Sequence, residues 1–406
     1  MTIAAAVAKL GIGPLTEAAV SQHIRPLFSQ TLARDRIYLA NHTLGRPLDQ
    51  MHADLSQGAQ LWSDALRDAW EPWLAEEANY RSALAGMLGL ERPDCLVPKV
   101  SAGGALRAVL NTLPQGATVV TTTGEFASVS VVLAQYAALG RLRVVLAAPA
   151  PEGTHTAESV NEAMRREPSL RLVVVSHVFY SDAQVFQNLA TLAAACRAHG
   201  AQLLVDCYHS FGVLPVDMPA LGCDYLIGGC YKYLRGGPGA AFLALAPHVA
   251  DGALRPLDTG WFAQEAAAGT NTGPRHEDGP ALRAGGDAWL EGTPPVLTYY
   301  QARSGLAFTH AVGVERLRAY SLGQLQGLGA LLGERGIATH GGDAAHGAFL
   351  TIATPDPAEV VRQLAQKRIA VDARDGQLRV CPDCLTTGDE LEQFADAIAS
   401  CLPPAH

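Results

Sequence analysis

Short apolar runs alternate with helix-length segments through the middle of the chain, and this alternation constrains the fold more than any other feature. The runs contain four to six residues, many of them β-branched, and lie at 118–122, 142–147, 171–176, 202–206, 225–228 and 241–245. Runs of this length with helical segments between several of them are typical of βαβ units. We therefore predict a mostly parallel sheet covered by helices on both faces.

The clearest helix between two of these strands is the segment LATLAAACRAHG at 189–200. It ends in Gly200, at a position where helices often take a left-handed residue. The tract at 251–288 has little periodicity and many Gly, Pro and charged residues, so we predict a long surface loop there. Loops of that length are often functional.

The pattern changes after the two prolines at 294 and 295. We predict a helix over 297–319, then a small sheet from residue 337 and the runs 349–352 and 369–371. Apolar residues at three- and four-residue spacings predict a closing helix: Leu391, Phe394, Ile398 and Leu402. These elements fit a smaller α+β domain. We expect a large domain at 46–295 and a small domain made of 1–45 and 296–406.

Composition excludes several classes of protein. The 406 residues are 49% hydrophobic and 17% charged, which predicts a conventional buried core. The chain has 30 Lys and Arg against 39 Asp and Glu, and no run of five or more Lys or Arg occurs, so we expect no nucleic-acid partner. The apolar runs are far shorter than the roughly 18 residues of a membrane span. With no signal-peptide pattern at the N-terminus, we expect a cytoplasmic protein whose eight cysteines are reduced.

Two chemically suggestive residues follow predicted strands. Ligands of open parallel sheets bind beyond the carboxyl ends of the strands. Asp206 ends one strand, and Lys232 follows another within the sequence CYKY, just before a Gly-rich turn at 235–239. A lysine kept partly neutral by burial can bond to an aldehyde, and a nearby carboxylate can hold a pyridine nitrogen protonated. Together they suggest pyridoxal phosphate. Taken alone, Asp206 is more simply a helix or turn cap, and Lys232 is more simply a solvated surface lysine.

Four segments resemble the kynureninases, which belong to the class V aminotransferase-like, fold type I group of pyridoxal phosphate enzymes. The segments are VDCYHSFGVLPVD at 205–217, GCDYLIGGCYKYLRGGPGAAFLAL at 222–245, GWF at 260–262 and LEGTPPVL at 290–297. The resemblance extends from about residue 37 to residue 382. It implies an α/β fold in which a large domain, with a seven-stranded, mostly parallel sheet between helices, carries a small C-terminal α+β domain.

The resemblance also implies roles around the cofactor ring. Lys232 would bond to the cofactor and move the substrate's α-proton, and Asp206 would pair with the pyridine nitrogen. His209 would lie beside or beneath the ring, and Phe126 would stack on it. Tyr231 would bind the phosphate and act as an acid or base at the reacting carbonyl.

Further residues would hold the phosphate. Ser101, Ala102 and Gly103 precede a helical pattern at 105–110, and small residues at a helix N-terminus let backbone N–H groups approach a phosphate. An ordinary serine cap is the alternative interpretation of this segment. Trp261 and Thr293 match positions that, in the family, reach the phosphate from a partner subunit. The resemblance therefore implies a homodimer with shared active sites.

On the substrate side, Arg379 matches the family arginine that binds the α-carboxylate, a task suited to the planar guanidinium fork. Arg374 is a second candidate for that task, although a solvated strand-edge arginine is the simpler interpretation. Thr43 matches a hydroxyl residue near the substrate, and its neighbour His42 stands where the family usually has Asn. We expect His42 to line the pocket.

The implied reaction is hydrolytic cleavage of the Cβ–Cγ bond of L-kynurenine or 3-hydroxykynurenine, giving anthranilate and alanine. The alternative is a class V enzyme acting on another amino acid, as an aminotransferase or a β-eliminating lyase. A different class of function would be a metal-binding module made from Cys381, Cys384, Cys401 and His406. Because Cys401 shares a helical face with Phe394 and Ile398, burial is the simpler account and we expect no metal.

Overall fold

The computed structural model describes residues 2–265 and 281–402. The predicted apolar runs form strands there, with boundaries within one residue of the prediction. The strands are β1 (Ile37–Tyr38), β2 (Leu96–Lys99), β3 (Ala117–Thr122), β4 (Leu142–Ala147), β5 (Leu170–Ser176), β6 (Gln202–Asp206), β7 (Tyr225–Gly229), β8 (Ala241–Leu245), β9 (Leu350–Ala353), β10 (Ile369–Ala370), β11 (Asp372–Arg374) and β12 (Gln377–Val380).

Seven of these strands form the central sheet, in the order β2-β8-β7-β6-β5-β3-β4. The pairings among β7, β6, β5, β3 and β4 are all parallel, and β8 runs antiparallel to both of its neighbours. This confirms the predicted mostly parallel sheet. Nearly every residue of β3, β5, β6, β7 and β8 is buried, as expected for strands covered on both faces.

Helices cover both faces of the sheet and build the remainder of the fold. They are α1 (Ile3–Ala8), α2 (Glu17–Ala19), α3 (Ser29–Leu32), α4 (Gln50–Ala65), α5 (Trp70–Met87), α6 (Ala102–Leu110), α7 (Ala127–Ala138), α8 (Ala157–Met164), α9 (Leu189–Ala198), α10 (Met218–Leu221), α11 (Pro247–Ala250), α12 (Val296–Val312), α13 (Val314–Glu334), α14 (Pro357–Gln366) and α15 (Gly388–Ala399). Short 3₁₀ segments include Trp261–Ala263 and Gly285–Trp289.

Glycine decides where two predicted helices end. Gly200 follows α9 with φ +68°, so the predicted end of that helix is confirmed. The single helix predicted over 297–319 is wrong, because Gly313 adopts φ +92° and divides it into α12 and α13. A left-handed residue interrupts the helical hydrogen-bond pattern, and glycine adopts this conformation at little cost.

The small sheet is assembled differently from the prediction. Strands β9, β12 and β11 form a three-stranded antiparallel sheet, and residue 337 is not part of it. β10 pairs instead with β1 in a parallel two-stranded sheet, which ties the N-terminal segment to the C-terminal part. Leu39 accordingly belongs to the core formed by α13, α14, α15 and these strands. The exact domain boundaries stay a prediction.

The predicted surface loop at 251–288 is in part irregular, with the short 3₁₀ segments as its only helical turns in the described part of it. Residues 266–280 lie outside the described residues. In the described part of the chain, no helix combines the length and apolarity that crossing a bilayer requires.

Candidate active site

The lysine and the acid predicted from strand ends meet at one edge of the central sheet. β6 and β7 are parallel neighbours, and Asp206 pairs with Ile227 in register. Lys232 follows β7 in a tight turn that is closed by a hydrogen bond from the Gly236 amide to the Cys230 carbonyl (2.7 Å). The side chains of Asp206 and Lys232 are both buried, each with 6% exposure. Strand order therefore converts a separation of 26 residues into one site.

Apolar and aromatic groups surround the Lys232 amine. Its Nζ lies 2.6 Å from Nε2 of His209 and between 5.7 and 5.8 Å from the ring centres of Phe126, Tyr208 and Tyr231. Burial lowers the pKa of Lys232 to about 7, and the nearby Asp206 carboxylate only partly opposes that shift. A substantial fraction of the amine is therefore neutral near pH 7, as bond formation with an aldehyde requires.

Asp206 is held by a hydrogen bond within its own turn. Its cationic neighbour, Lys232, is only partly charged near pH 7. Its Oδ1 accepts a hydrogen bond from the Tyr208 amide (2.8 Å). Burial raises the pKa of Asp206 to about 6, while the Tyr208 amide and Lys232 lower it. A protonated ring nitrogen placed against this carboxylate would supply the missing cation and keep the aspartate ionised.

These side chains line a cavity of about 180 Å³. Seven of its lining residues were candidates from the sequence: Ser101, Ala102, Phe126, Asp206, His209, Tyr231 and Lys232. Others were missed, among them Ser128, Ser176, Val178, Tyr180 and Tyr208. Three of these end or follow β5, and the strand-end argument that predicts Asp206 and Lys232 applies equally to them.

One end of the cavity is the N-terminus of α6. Ser101 caps this helix, since its Oγ accepts a hydrogen bond from the Gly104 amide (3.1 Å). Ala102 and Gly103 occupy the first helical positions, where N–H groups have no acceptor within the helix. Gly103 is at this end but not among the residues lining the cavity. The free amides and the helix dipole suit a phosphate, so this end fits the phosphate of pyridoxal phosphate.

A buried carboxyl group that contacts the cavity-lining Ser176 was missed by the sequence reasoning. Glu125 accepts hydrogen bonds from the Thr122 hydroxyl (2.6 Å), the Ser176 hydroxyl (2.6 Å) and the Ser176 amide (3.1 Å). Burial raises the pKa of Glu125 to about 7, against the effect of these hydrogen bonds. The network joins the ends of β3 and β5 and fixes the adjacent Phe126, the predicted stacking residue.

The substrate-side candidates form a buried group beside the cavity. His42 is fully buried and stacks on Phe349, with ring centres 4.9 Å apart. Arg379 is 3% exposed and lies over the same Phe349 ring at 5.7 Å. His42 is also 6.4 Å from the ring of His209. Neither His42 nor Arg379 is among the residues that line the cavity, and the expectation that His42 lines the pocket stays a prediction.

Three other candidates, Thr43, Trp261 and Thr293, are not among the residues that line the cavity. The Thr43 hydroxyl donates to the Ala40 carbonyl (2.7 Å), which stabilises the turn after β1. Trp261 is 62% exposed, and Thr293 is also exposed. Neither Trp261 nor Thr293 lines the cavity of its own chain. Their predicted contact with a phosphate stays a prediction that needs a second subunit.

The cysteines are placed as packing residues. Cys381 and Cys384 are buried, and Cys401 packs against the small-domain core that contains Phe394 and Ile398. His406 lies outside the described residues. Within 2–265 and 281–402, no three His, Cys, Asp or Glu side chains converge as a metal site would require.

Comparisons with known proteins agree with this geometry. The family described as Aminotransferase class-V matches residues 75–385, more than half of the chain. An uncharacterized aminotransferase, YcbU, of Bacillus subtilis (strain 168) is 28% identical over 86% of this chain and 94% of its own length. A kynureninase of Pseudomonas fluorescens is 26% identical over 87% of this chain and 86% of its own. The cysteine desulfurase of Thermococcus onnurineus NA1 shares the fold, with a TM-score of 0.81 at 17% identity, over 94% of this chain and 98% of that one.

Proposed function

The chain belongs to the class V aminotransferase family, and from that membership we propose that it hydrolyses the Cβ–Cγ bond of L-kynurenine or 3-hydroxykynurenine. The products would be anthranilate, or its hydroxylated form, and alanine. The cofactor is pyridoxal 5′-phosphate. When bound, it supplies an electron sink that stabilises negative charge at the substrate's α-carbon.

The position of Tyr231 carries the proposal. Its ring lies 5.7 Å from Lys232 Nζ, and its side chain lines the cavity. Burial and the nearby Asp206 carboxylate raise the pKa of Tyr231, so the phenol keeps its proton at neutral pH. A protonated phenol beside the lysine can donate to the substrate's γ-carbonyl oxygen as water adds to the carbonyl carbon. Cleavage between Cβ and Cγ requires such an acid, whereas transamination does not.

The other residues have complementary tasks in the proposed reaction. Lys232 Nζ removes the α-proton, which its lowered pKa permits near pH 7. Asp206 holds a proton on the pyridine nitrogen and so keeps the ring electron-poor. Phe126 covers one face of the ring and excludes water. Arg379 binds the substrate's carboxylate and thereby fixes which bond at Cα is presented to Lys232.

A homodimer is part of the proposal, and exposed aromatic surface supports it. Trp261 packs edge-on against Phe262 at 4.4 Å between ring centres, and Phe262 lies 6.5 Å from Trp70. Trp62 on α4 is 63% exposed, and Leu257 is 72% exposed. Large apolar side chains this exposed are typical of surfaces that a partner covers. A second copy seated there would bring Trp261 and Thr293 toward the phosphate end of the neighbouring site.

The second candidate is a class V enzyme that acts on another amino acid, as an aminotransferase or a β-eliminating lyase. The uncharacterized aminotransferase relative and His42, which replaces the usual family Asn, favour this alternative. A desulfurase is disfavoured because it needs a reactive thiol on a mobile loop. Seven of the eight cysteines are buried, and no cysteine occurs in the 251–288 tract.

An absorbance scan of the cofactor-loaded protein with a panel of amino acids tests the proposal. With kynurenine, we expect the band of the lysine-bound cofactor to change and the fluorescence of an aromatic amine product to grow at every turnover. Alanine, cysteine and aspartate serve as controls, and none should release an aromatic amine. Formation of a keto acid or pyruvate with no anthranilate would overturn the first candidate in favour of the second.

A further inference from the structure

Asp372 forms an ion pair with Arg379, the residue whose guanidinium group is expected to bind the substrate's carboxylate. Asp372 on β11 pairs in register with Arg379 on β12. Its Oδ2 accepts a hydrogen bond from one terminal nitrogen of Arg379. The other terminal nitrogen donates to the Tyr180 carbonyl (2.6 Å). Both terminal nitrogens of the fork that would bind a carboxylate therefore already have acceptors from the chain itself.

Asp372 also faces a second partner with which it forms no hydrogen bond. The same Oδ2 atom lies 3.4 Å from Nε2 of His42. Among the described residues, neither ring nitrogen of buried His42 has a hydrogen-bond partner, and neither has Nε of Arg379. Burial, with the Arg379 charge, lowers the pKa of His42 to about 4 against the opposing effect of Asp372. His42 is therefore neutral near pH 7, and Arg379 is the cation nearest to Asp372.

Buried polar atoms without partners are rare in native proteins, and each carries a desolvation cost. Several such atoms meet here, around a carboxylate that can reach two different groups. A further anion bound at Arg379 would give these atoms partners. An anion on Arg379 would release Asp372, whose nearest other partner is the unpaired His42.

We propose that Asp372 is an internal competitor for the substrate's carboxylate. In the free enzyme Asp372 neutralises Arg379, and the incoming carboxylate displaces it toward His42. The inference rests on the proposed role of Arg379 in the proposed function and adds a specificity rule to it. A ligand that lacks a carboxylate cannot replace Asp372, so amines and amides are excluded, while each carboxylate ligand binds more weakly than Arg379 alone would allow.

The chain offers a control on the same hairpin. Asp375 lies three residues after Asp372 and accepts a hydrogen bond from the Tyr180 hydroxyl (2.8 Å). Asp375 makes no ion pair with a described residue. Asp375→Asn removes the same charge from the hairpin and leaves the Arg379 guanidinium with its own partners. It separates competition for Arg379 from a general change in electrostatic potential.

The experiment measures propionate binding to the cofactor-loaded enzyme by calorimetry, with propionamide as the uncharged ligand of the same shape. Asp372→Asn should bind propionate at least about tenfold more tightly than wild type and should not gain affinity for propionamide. Asp375→Asn should stay within about twofold of wild type. If Asp372 only supports the fold around Arg379, Asp372→Asn will bind propionate more weakly or unchanged, and that result overturns the inference.

His42→Leu provides a second variant should Asp372→Asn fold poorly. Removing His42 leaves displaced Asp372 without its alternative partner, so propionate should bind at least about fivefold more weakly than to wild type. Unchanged or tighter binding contradicts the proposal. Because propionate carries no reacting group, these results do not depend on kynurenine turnover. Loss of propionate binding in Arg379→Gln supports the carboxylate site even if kynurenine is not cleaved, and retained binding overturns it.

Discussion

Lys232 and Arg235 lie three residues apart in one turn, and both are 6% exposed, yet their surroundings differ completely. Arg235 donates to Oδ2 of Asp383 (2.7 Å), and Arg46 binds the other oxygen of the same carboxylate. Although burial alone would raise it, these two arginines hold the pKa of Asp383 at about 2. Every charge in this cluster has a charged partner.

Lys232 has no comparable ion-pair partner within residues 2–265 and 281–402. His209 beside it is neutral, because burial and the Lys232 charge lower the pKa of the imidazole well below its ordinary value. Asp206 is the opposing charge, and burial raises its pKa as well. The groups of the Asp383 cluster are thus held in their charged forms. In the Lys232 cluster, the pKa values of Lys232 and Asp206 are shifted toward 7. The first arrangement serves stability, and the second serves chemistry, because a group can transfer protons near pH 7 only when its pKa lies there.

Replacing Lys232 should produce the largest effect. It should lower the rate of turnover without lowering the stability of the fold. In Lys232→Met, turnover should fall by at least about 10³-fold, because the amine that bonds to the cofactor and moves the α-proton is lost. The free energy of unfolding of the cofactor-free protein should not decrease, since a poorly solvated cation is removed. Turnover assays and urea denaturation measure the two quantities. A variant that keeps both a covalent cofactor adduct and turnover would contradict the assignment of Lys232.

Replacing Arg235 should do the opposite. In Arg235→Met, the free energy of unfolding should fall by about 3 kcal/mol, because Asp383 stays buried with one arginine fewer. The matched control is Arg166→Met, which removes an exposed ion pair to Glu162 and should cost less than about 1 kcal/mol. Denaturant titration of both variants tests this difference. Equal losses of unfolding free energy in the two variants would mean that a buried ion pair of Asp383 contributes no more to stability than an exposed one.

Tyr231 and Tyr233 extend the comparison to two phenols of the same turn. Tyr231→Phe should lower turnover by about 10²-fold, because the proton donor at the carbonyl is lost. The buried Tyr233 hydroxyl has no hydrogen-bond partner in the described part of the chain, so Tyr233→Phe should leave turnover nearly unchanged and stability equal or higher. Steady-state kinetics on both variants are the measurement. Similar turnover losses in the two variants would remove Tyr231 from the reaction.

The last difference between the two clusters is in pH dependence. The pKa of Asp383 is about 2 in the folded protein against an ordinary value of 3.8, so its stabilisation is complete above about pH 4 and is lost as the pH falls toward 2. The pKa of Lys232 is about 7 against 10.5, so its destabilisation is complete below pH 7 and disappears as the pH rises toward 10.5.

Urea denaturation of the cofactor-free protein across pH reveals both windows. Wild type should lose its advantage over Asp383→Asn on the acid side. Wild type should be less stable than Lys232→Met near pH 7, and this difference should disappear as the pH rises toward 10.5. A stability difference between wild type and Lys232→Met that does not vary between pH 7 and 10.5 would show that the Lys232 pKa is not lowered.

The sequence predicts the cofactor half of this protein well for a physical reason. Strand ends are local features, and parallel strand order brings Asp206 and Lys232 together wherever such runs occur. Tyr208 was missed although it lies between Asp206 and His209, because a buried tyrosine next to a strand end resembles a core residue. Glu125 was missed because its partners, Thr122 and Ser176, come from two different strands.

The substrate half was harder to predict because its residues come from separate segments. His42 follows β1, Tyr180 follows β5, and Asp372 and Arg379 lie across a hairpin. Asp372 had no signal of its own in the sequence, since its partners depend on the register of β11 with β12. The division of the helix at Gly313 likewise depends on a backbone conformation that the apolar spacing does not reveal.

The most direct test of the proposed reaction follows the oxygen of water. In H₂¹⁸O, hydrolytic cleavage of kynurenine should give one anthranilate and one alanine for each kynurenine consumed, with one ¹⁸O in the anthranilate carboxyl group. Mass spectrometry of the products measures both the stoichiometry and the label. A keto acid, or pyruvate with ammonia, formed without labelled anthranilate would contradict the proposed Cβ–Cγ hydrolysis.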